Sequence, residues 1–394
     1  RKPLFMKYTK ALLTLAVAAS FSASSLAEIR INGFGNFNAG ITSTEDSFLG
    51  YDDTVDFSNQ SLFALQVSGD IGEKFSATAQ VLARGNEDYS PEFEWAYLNY
   101  EINDNWSAQA GRLRLPLFSY SDSLDVAYSY HWVTAPSTVY NVPFNNIDGL
   151  KIVNTTSFNN WDLNTSLSVG QYKGTSFGAD IIGQNAVLLS AQLSNMEWTF
   201  RGVVGRATTT LDLTKSDLED GQFLGNGFNA IEAAGFTELA DNLRVDEDSG
   251  EFYGMSFMYD NMEYFFGGEA TSIRLTNTFA NDDDAFYVTA GARFNKWTPS
   301  ITYERFESNG DVKFADQIAA ISASALPIET AQGLSAIAIG AQMAQLEDYD
   351  VVTATLRYDL DAGIALKGDV SKVSHENNDA LDATLLRLGV NFVF

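Results

Sequence analysis

Histidine and cysteine, the side chains that most often carry nucleophilic, acid–base or metal chemistry, are almost missing from this sequence. There is no cysteine, and His131 and His375 are the only histidines. A serine hydrolase needs a serine–histidine pairing, and a thiolate metal site needs cysteine. The sequence contains neither a His-Glu-x-x-His motif nor a phosphate-binding glycine loop. We therefore predict that the protein is not an enzyme and that it has no metal site and no cofactor.

Charged residues could act electrostatically on ions or polar solutes. Many of them recur on the polar face of segments in which polar and apolar residues alternate. The basic residues of this set are Arg30, Arg84, Lys151, Arg201, Arg293, Arg357, Lys367 and Arg387. Arg112 and Arg114 precede a segment that carries Asp122, Asp125 and Asp148. Either these charges face a shared aqueous space, or they pair with neighbouring acids such as Glu269 and tie strands together. The formal net charge of −27 argues against nucleic acid as a partner.

The elements that must position these charges alternate with a period of two residues. In the last segment, Leu386, Leu388, Val390, Phe392 and Phe394 share one face, and polar residues from Arg387 to Asn391 occupy the other. Such alternation predicts a β-strand with one apolar face. We therefore expect a charge to be harmful at Leu388 and tolerated at Asn391. Further segments repeat the pattern, and several begin or end with an aromatic residue: Trp161, Trp198, Tyr259 and Tyr358.

The connections between these segments alternate in length. Short turns are predicted near residues 70–74, 102–105, 157–160, 194–197, 260–262, 295–297 and 359–363. Longer loops are predicted near residues 42–58, 85–92, 116–147, 171–185, 207–250, 274–284, 307–349 and 372–382, with short helices in 229–242 and 315–345. Seven turns and eight loops join 16 strands. Because lipid offers no partner for an edge strand, the sequence predicts an all-β, closed transmembrane antiparallel barrel with short periplasmic turns and long extracellular loops. A soluble β-sandwich would carry more charge on its outward faces.

The N-terminal residues have the features of a secretory signal. Lys7 and Lys10 follow Met6, an apolar run extends from Ala11 to Ala19, and small residues precede Ala27. This order of basic, apolar and small residues predicts cleavage after Ala27, with residues 1–5 upstream of the true start. A membrane anchor would need a longer apolar run. We predict a cleaved segment at 1–27 and one barrel domain at 28–394.

Three stretches resemble the Gram-negative outer-membrane porin family. They are the first strand around Ile31–Gly35, the segment from Gly111 to Leu150, and the terminal strand ending in Phe394. The resemblance implies that the loop after the fifth strand folds into the barrel and narrows it, with loop acids facing basic wall residues across a transverse field. The chain departs from the best-known porins by having His131-Trp132 and Ala135-Pro136 in place of a Pro-Glu-Phe-Gly-Gly loop tip.

The resemblance also implies a location and partners. The terminal Phe394 would be the signal that the barrel-assembly machinery recognises, and the protein would be a homotrimer in the outer membrane, in contact with lipid and lipopolysaccharide. The expected function is passive diffusion of ions and small hydrophilic solutes. A solute-specific channel, for phosphate or another anion, and a surface adhesin or receptor barrel are the alternatives.

Overall fold

The computed structural model describes residues 29–45, 48–310 and 312–394. The predicted signal peptide, residues 1–27 with its cleavage site after Ala27, lies outside these residues. The described chain forms one closed barrel of 16 strands. Neighbouring strands are antiparallel throughout, and β1 pairs with β16 to close the sheet. The prediction of a 16-stranded antiparallel barrel is confirmed.

The strand bounds show how regular this wall is. The strands are β1 Arg30–Thr42, β2 Leu62–Asp70, β3 Phe75–Arg84, β4 Pro91–Asn103, β5 Trp106–Arg114, β6 Asn146–Phe158, β7 Trp161–Ser176, β8 Ala179–Ser194, β9 Trp198–Leu211, β10 Val245–Asp260, β11 Tyr264–Leu275, β12 Asp282–Ala292, β13 Trp297–Asn309, β14 Asp348–Asp361, β15 Ile364–His375 and β16 Ala383–Val393.

Side-chain exposure alternates along the strands as the sequence predicts. On β16, Leu386, Leu388 and Val390 are exposed on the outside of the barrel, whereas Arg387 and Asn391 are buried on its inside. The apolar outer face is what a lipid environment requires, and the inner face carries the polar residues.

Two glycines on β1 allow the barrel to close tightly. A Cβ atom on Gly33 would lie 2.2 Å from Cζ of Phe394, and one on Gly35 would lie 2.5 Å from Cζ of Phe392. The two phenylalanine rings therefore lie directly over the glycines, which is a known way of stabilising a glycine in a sheet. The terminal phenylalanine that the sequence analysis singled out thus packs on the outer face of the seam between β1 and β16.

Aromatic side chains gather at the end of the barrel that carries the short turns. Trp198 lies 4.8 Å from Tyr259, Trp297 lies 4.5 Å from Tyr358, and Phe75 lies 4.7 Å from Tyr100, measured between ring centroids. A band of aromatic rings at one end of the strands is typical of a membrane interface.

One predicted loop is wrong. Residues 171–185 were expected to form a long loop, but β7 and β8 continue through most of this segment and are joined by Phe177 and Gly178 alone. Both residues have positive φ angles, 51° and 69°, as a tight hairpin turn requires. Phe-Gly is not a typical hairpin dipeptide, so this segment carries no turn signal in the sequence. Residues Gly174 to Gly178 also match the Gly-x-Ser-x-Gly spacing of hydrolases, but they form this hairpin and not a strand-to-helix elbow.

Helices occur only in the connections of the described chain. They are α1 Ser137–Tyr140, α2 Glu219–Ala233, α3 Thr237–Leu243, α4 Ala315–Ser322 and α5 Ile328–Met343. Helices α2 to α5 pack together at the long-loop end around an apolar core of their own, which includes Phe228, Ile231, Ile321 and Ala338. We call this unit the helical cap. None of the described helices is long and apolar enough to cross a membrane.

Candidate pore constriction

The connection between β5 and β6, residues 115–145, turns into the barrel and fills much of its interior. We call it the third loop. Its side chains form about half of the largest interior apolar cluster, where Phe118, Trp132 and Val139 are almost fully buried against wall residues such as Phe252 and Tyr287. The inward fold that the porin resemblance implied is therefore present.

Basic side chains of β14 and β15 bind the backbone of this loop. The Lys367 ammonium donates hydrogen bonds to the carbonyl oxygens of Ala127, Tyr130 and Trp132, the last two at 2.8 and 2.7 Å. Arg357 donates to the carbonyls of Tyr128 and Tyr130 at 2.7 and 2.8 Å. Since three carbonyls converge on one buried ammonium, Lys367 is a strong local anchor for the loop.

Two further basic residues of the predicted set also hold the loop. Arg387 donates to Thr134 Oγ1 at 2.6 Å while it pairs with Asp369 at 2.9 Å. Arg201 donates to the carbonyl of Pro116. These side chains point inward as the sequence predicted, but they bind the loop and are not free to act on a passing solute.

Strands β11 to β13 bind the loop from the other side with neutral and acidic groups. Glu269 accepts a hydrogen bond from Tyr140 Oη at 2.7 Å, and Thr302 accepts one from Trp132 Nε1 at 2.8 Å. His131 Nε2 lies 3.1 Å from Thr289 Oγ1. Burial, together with three nearby cations, lowers the pKa of His131 well below 6.5, so this histidine is neutral at physiological pH.

The base of the loop carries an interior cluster of charged residues. Arg114 is buried and pairs with Asp125 and with Glu94, the latter at 3.0 Å. Arg84 lies 2.7 Å from Glu94 and 3.4 Å from Asp125. Asn146 donates to Glu94 at 2.8 Å. Three of the predicted residues, Arg84, Arg114 and Asp125, therefore meet here, and with Glu94 they form a cluster of two positive and two negative charges.

Other predicted residues lie elsewhere. Asp148 was predicted as an acid of the third loop that faces the basic wall, and this prediction is wrong. It is the third residue of β6, is exposed, and shares a strand face with Leu150 and Ile152, which point outward. Arg112 is cross-strand partner of Asp148 and donates from Nε to the Glu94 carbonyl at 3.3 Å.

Two predicted arginines lie at the short-turn end. Arg30 is half-exposed and lies 3.6 Å from Asp70. Arg293 forms two hydrogen bonds of 2.7 Å with Asp260 and lies over the Phe265 ring. Within the described part of the chain, neither forms a hydrogen bond with the third loop, and both are neutralised by a neighbouring acid.

One acid of the third loop and two basic residues of the wall form a group of opposite charges without a direct ion pair. Asp122 on the third loop lies close enough to Lys151 on β6 and Arg201 on β9 to interact with both electrostatically. Within the described residues, no ion pair shorter than 4 Å involves Asp122 or Lys151. A loop acid and two wall bases are therefore near one another here, and their role in a constriction stays a prediction.

The third loop separates two polar chambers. The outer chamber, of about 240 Å³ at the long-loop end, is lined by residues that include Asn36, Arg84 and Asp125. The inner chamber, of about 360 Å³ at the short-turn end, is lined by residues that include His131 and Arg293. Tyr130 lines both chambers, so it lies on the boundary between them.

Sequence reasoning missed Glu94, which is central to the charged cluster. Val81 pairs with Phe93 and Gln80 with Trp95, so Glu94 is the extra residue of a β-bulge. An alternating pattern gives no sign of such a residue. Glu269 was considered only as a partner of neighbouring strands, whereas Glu269 and Glu304 both accept hydrogen bonds from the third loop.

Comparison with solved structures identifies proteins that have a similar architecture. The outer-membrane channel DcaP of Acinetobacter baumannii aligns with a TM-score of 0.57 and 10% identity over 95% of this chain and 99% of that one. An anion-selective porin from Comamonas acidovorans aligns with a TM-score of 0.55 and 10% identity over 93% of this chain and 100% of that one. Salmonella typhi OmpF aligns with a TM-score of 0.54 and 13% identity over 93% of this chain and 97% of that one. The chain has the porin fold. No family model matches the sequence, and no curated protein does either.

Proposed function

We propose that this porin-fold barrel is a narrow channel for passive diffusion of ions and small hydrophilic solutes across a Gram-negative outer membrane. The observation that carries the proposal is a closed barrel with an apolar outer face whose interior holds two polar chambers separated by one loop. Channels select by radius and by the charges on the constriction. The solute path passes Tyr130, which lines both chambers. We propose no catalytic step.

The charge arrangement favours cations over anions. Arg84, Arg293, Arg357 and Arg387 are each paired with an acid, which leaves few free positive charges inside. Acidic residues such as Asp246–Asp248 lie at the long-loop end, where they raise the local cation concentration. An anion-specific channel, the first alternative, would need its arginines free along the path. One similar structure is an anion-selective porin, and the sign of the reversal potential distinguishes the two kinds of channel.

The second alternative is a receptor or adhesin that uses its extracellular surface. The helical cap favours it, because this unit has an apolar core of its own and exposes Phe223 and Ile328. Loss of cell binding on deletion of the cap, with conductance unchanged, would support the alternative.

The proposed assembly follows the porin fold. We propose a homotrimer that contacts lipid and lipopolysaccharide and is inserted by the barrel-assembly machinery through its terminal Phe394 strand. We also propose that residues 1–27 direct export to the periplasm.

Recording of purified protein in a planar bilayer under a salt gradient tests the channel. We expect small conductance steps in groups of three, with a reversal potential that indicates a preference for cations. Silence from correctly folded protein would refute the channel, and a potential of the opposite sign would favour the anion-specific alternative.

A further inference from the structure

We infer that the barrel interior also holds a binding site for a small solute with an apolar ring. The site is a cavity of about 240 Å³ between the third loop and the wall strands β7 to β11. Its lining includes Leu117, Phe144, Tyr172, Leu188 and Phe252. The inference rests on the proposed channel, because the cavity lies inside the barrel. The ligand that fits the cavity is then one class of solute that the channel would admit.

The wall of the cavity is apolar, unlike those of the two chambers. Leu117, Leu188 and Phe252 are all at least 95% buried, and the rings of Phe144 and Tyr172 stack with centroids 4.1 Å apart. The Tyr172 hydroxyl is already hydrogen-bonded to Thr209 Oγ1 at 3.2 Å, so it does not need a hydrogen bond from a ligand. Such walls offer water few hydrogen bonds, and an apolar group is therefore favoured over water in the cavity.

The size of the cavity sets the size of the ligand. A dry protein cavity of about 150 Å³ lined by aliphatic and aromatic side chains is large enough to bind benzene. The present volume therefore fits a ring system of one or two rings. The stacked pair of Phe144 and Tyr172 supplies a flat wall, which favours an aromatic ring.

The rim of the cavity is polar and gives the site a charge preference. Asn281, Asp283 and Gln345 line the same cavity near the long-loop end. The Asp283 carboxylate accepts one hydrogen bond, from Ser308 Oγ at 2.7 Å, and has lone pairs left for a ligand donor. Arg206 and Glu251 also line the cavity, but they are cross-strand partners of opposite charge, so Asp283 determines the preference. A ring that carries a hydroxyl or an amine fits this rim, whereas a ring that carries a carboxylate would be repelled by Asp283.

The cavity is separate from the constriction. Among the described residues, none that lines it also lines the outer or the inner chamber. Binding in the cavity and conduction past Tyr130 can therefore be measured independently of one another.

Direct binding of 2-naphthol to the full chain in amphipol is the test. We expect saturable binding to one site per chain, competition by toluene, and much weaker binding of 2-naphthoate that improves in Asp283→Asn. Ala186→Phe fills the cavity, because Ala186 lines it and is buried, and should weaken binding by at least about tenfold. Ala191→Phe, on the outward face of the same strand β8, is the matched control and should bind like the wild type.

Identical binding isotherms for the wild type, Ala186→Phe and Ala191→Phe would overturn the inference. A linear isotherm, which reflects partition alone, would also overturn it. If Ala186→Phe does not fold, as judged by heat-modifiable gel mobility, Ala207→Phe fills the same cavity from β9. Conductance measured on the same preparations separates the two proposals. Conduction without 2-naphthol binding would refute only the cavity site. Binding without conduction would refute the channel and would still support the cavity site.

Discussion

The barrel wall and the third loop are stabilised in different ways. The wall repeats one unit, an antiparallel ladder with an apolar side chain outside and a smaller or polar one inside, so no single residue determines its position. The third loop has no repeating unit. Separate contacts fix it, above all those of Lys367 and Arg357 to loop carbonyls and of Trp132 to Thr302. Damage to the wall should therefore affect the whole barrel, whereas damage to a loop contact should act locally.

The largest effect is expected from a charge on the outer face of the wall. Leu388 is 60% exposed in the middle of β16, so Leu388→Arg would place a charge in lipid and should cost about 2–4 kcal/mol of folding free energy. Urea unfolding in lipid vesicles measures this cost. Thr78→Arg, at a half-buried inward position on β3, is the control and should cost much less. Equal costs at the two positions would refute the assignment of the two faces.

The interior does not tolerate charge everywhere, which corrects a prediction from the sequence. Asn391 was expected to accept a charge because it faces inward, but it is fully buried and its side chain lies 3.3 Å from that of Asn36. Asn391→Lys should therefore destabilise the barrel, because it buries an unpaired charge. Retention of wild-type stability in the same urea titration would argue that the third loop does not pack against this part of the wall.

A smaller, local effect is expected from loss of the main loop anchor. Lys367→Met leaves the carbonyls of Ala127, Tyr130 and Trp132 without their donor and should cost the loop roughly 1–3 kcal/mol. Hydrogen exchange of peptides that cover residues 124–134 should become faster while exchange in the strands stays the same. Lys372→Met, on the outward face of the same strand, is the matched control. Uniform acceleration throughout the barrel would mean that wall and loop are not separable.

A change of selectivity is expected at the opposed charges. Asp122→Asn removes the loop acid that faces Lys151 and Arg201, so the reversal potential should move toward anions, with less than about a twofold change in the permeability ratio. Asp88→Asn, in the loop between β3 and β4, controls for the loss of an acid outside the constriction. An equal shift in both variants would assign selectivity to the mouth of the channel.

The smallest effect concerns pH. Burial and the nearby Lys367, Arg293 and Arg357 lower the pKa of His131, whereas an unfolded histidine titrates near about 6.5. The unfolded chain therefore binds a proton that the folded loop does not, and the contribution of His131 to stability is complete above about pH 6.5 and decreases in more acidic solution. Thermal unfolding between pH 8 and pH 5 should show a shallower acid decline for His131→Gln than for the wild type. His375→Gln is the control, and identical slopes in all three proteins would contradict the burial of His131.

The sequence predicted the wall well because the wall is periodic. Alternation predicted the outward positions of Leu386, Leu388 and Val390, and together with the turns and loops it predicted the strand number. Short helices were also predicted in the two longest loops, and helices are present there. It failed where periodicity breaks. The bulge at Glu94 shifts the register, and Phe177-Gly178 makes a tight turn without the usual residue types.

The interior was less predictable because the sequence does not show which partners a charged side chain finds. The inward positions of Arg201, Arg357, Lys367 and Arg387 follow from strand phase, but their contacts with the third loop depend on how that loop packs across the barrel. For the same reason the apolar cavity had no sequence signal, since Leu117, Tyr172 and Phe252 come from distant segments.

Single-channel conductance of the wild type and of a variant in which residues 119–141 are replaced by a short glycine–serine linker is the most direct test of the account. The central claim is that the third loop, held by wall residues, sets the width of a polar path through the barrel. We expect the variant to fold as a barrel and to conduct several-fold more than the wild type. A folded variant with unchanged conductance would contradict the claim.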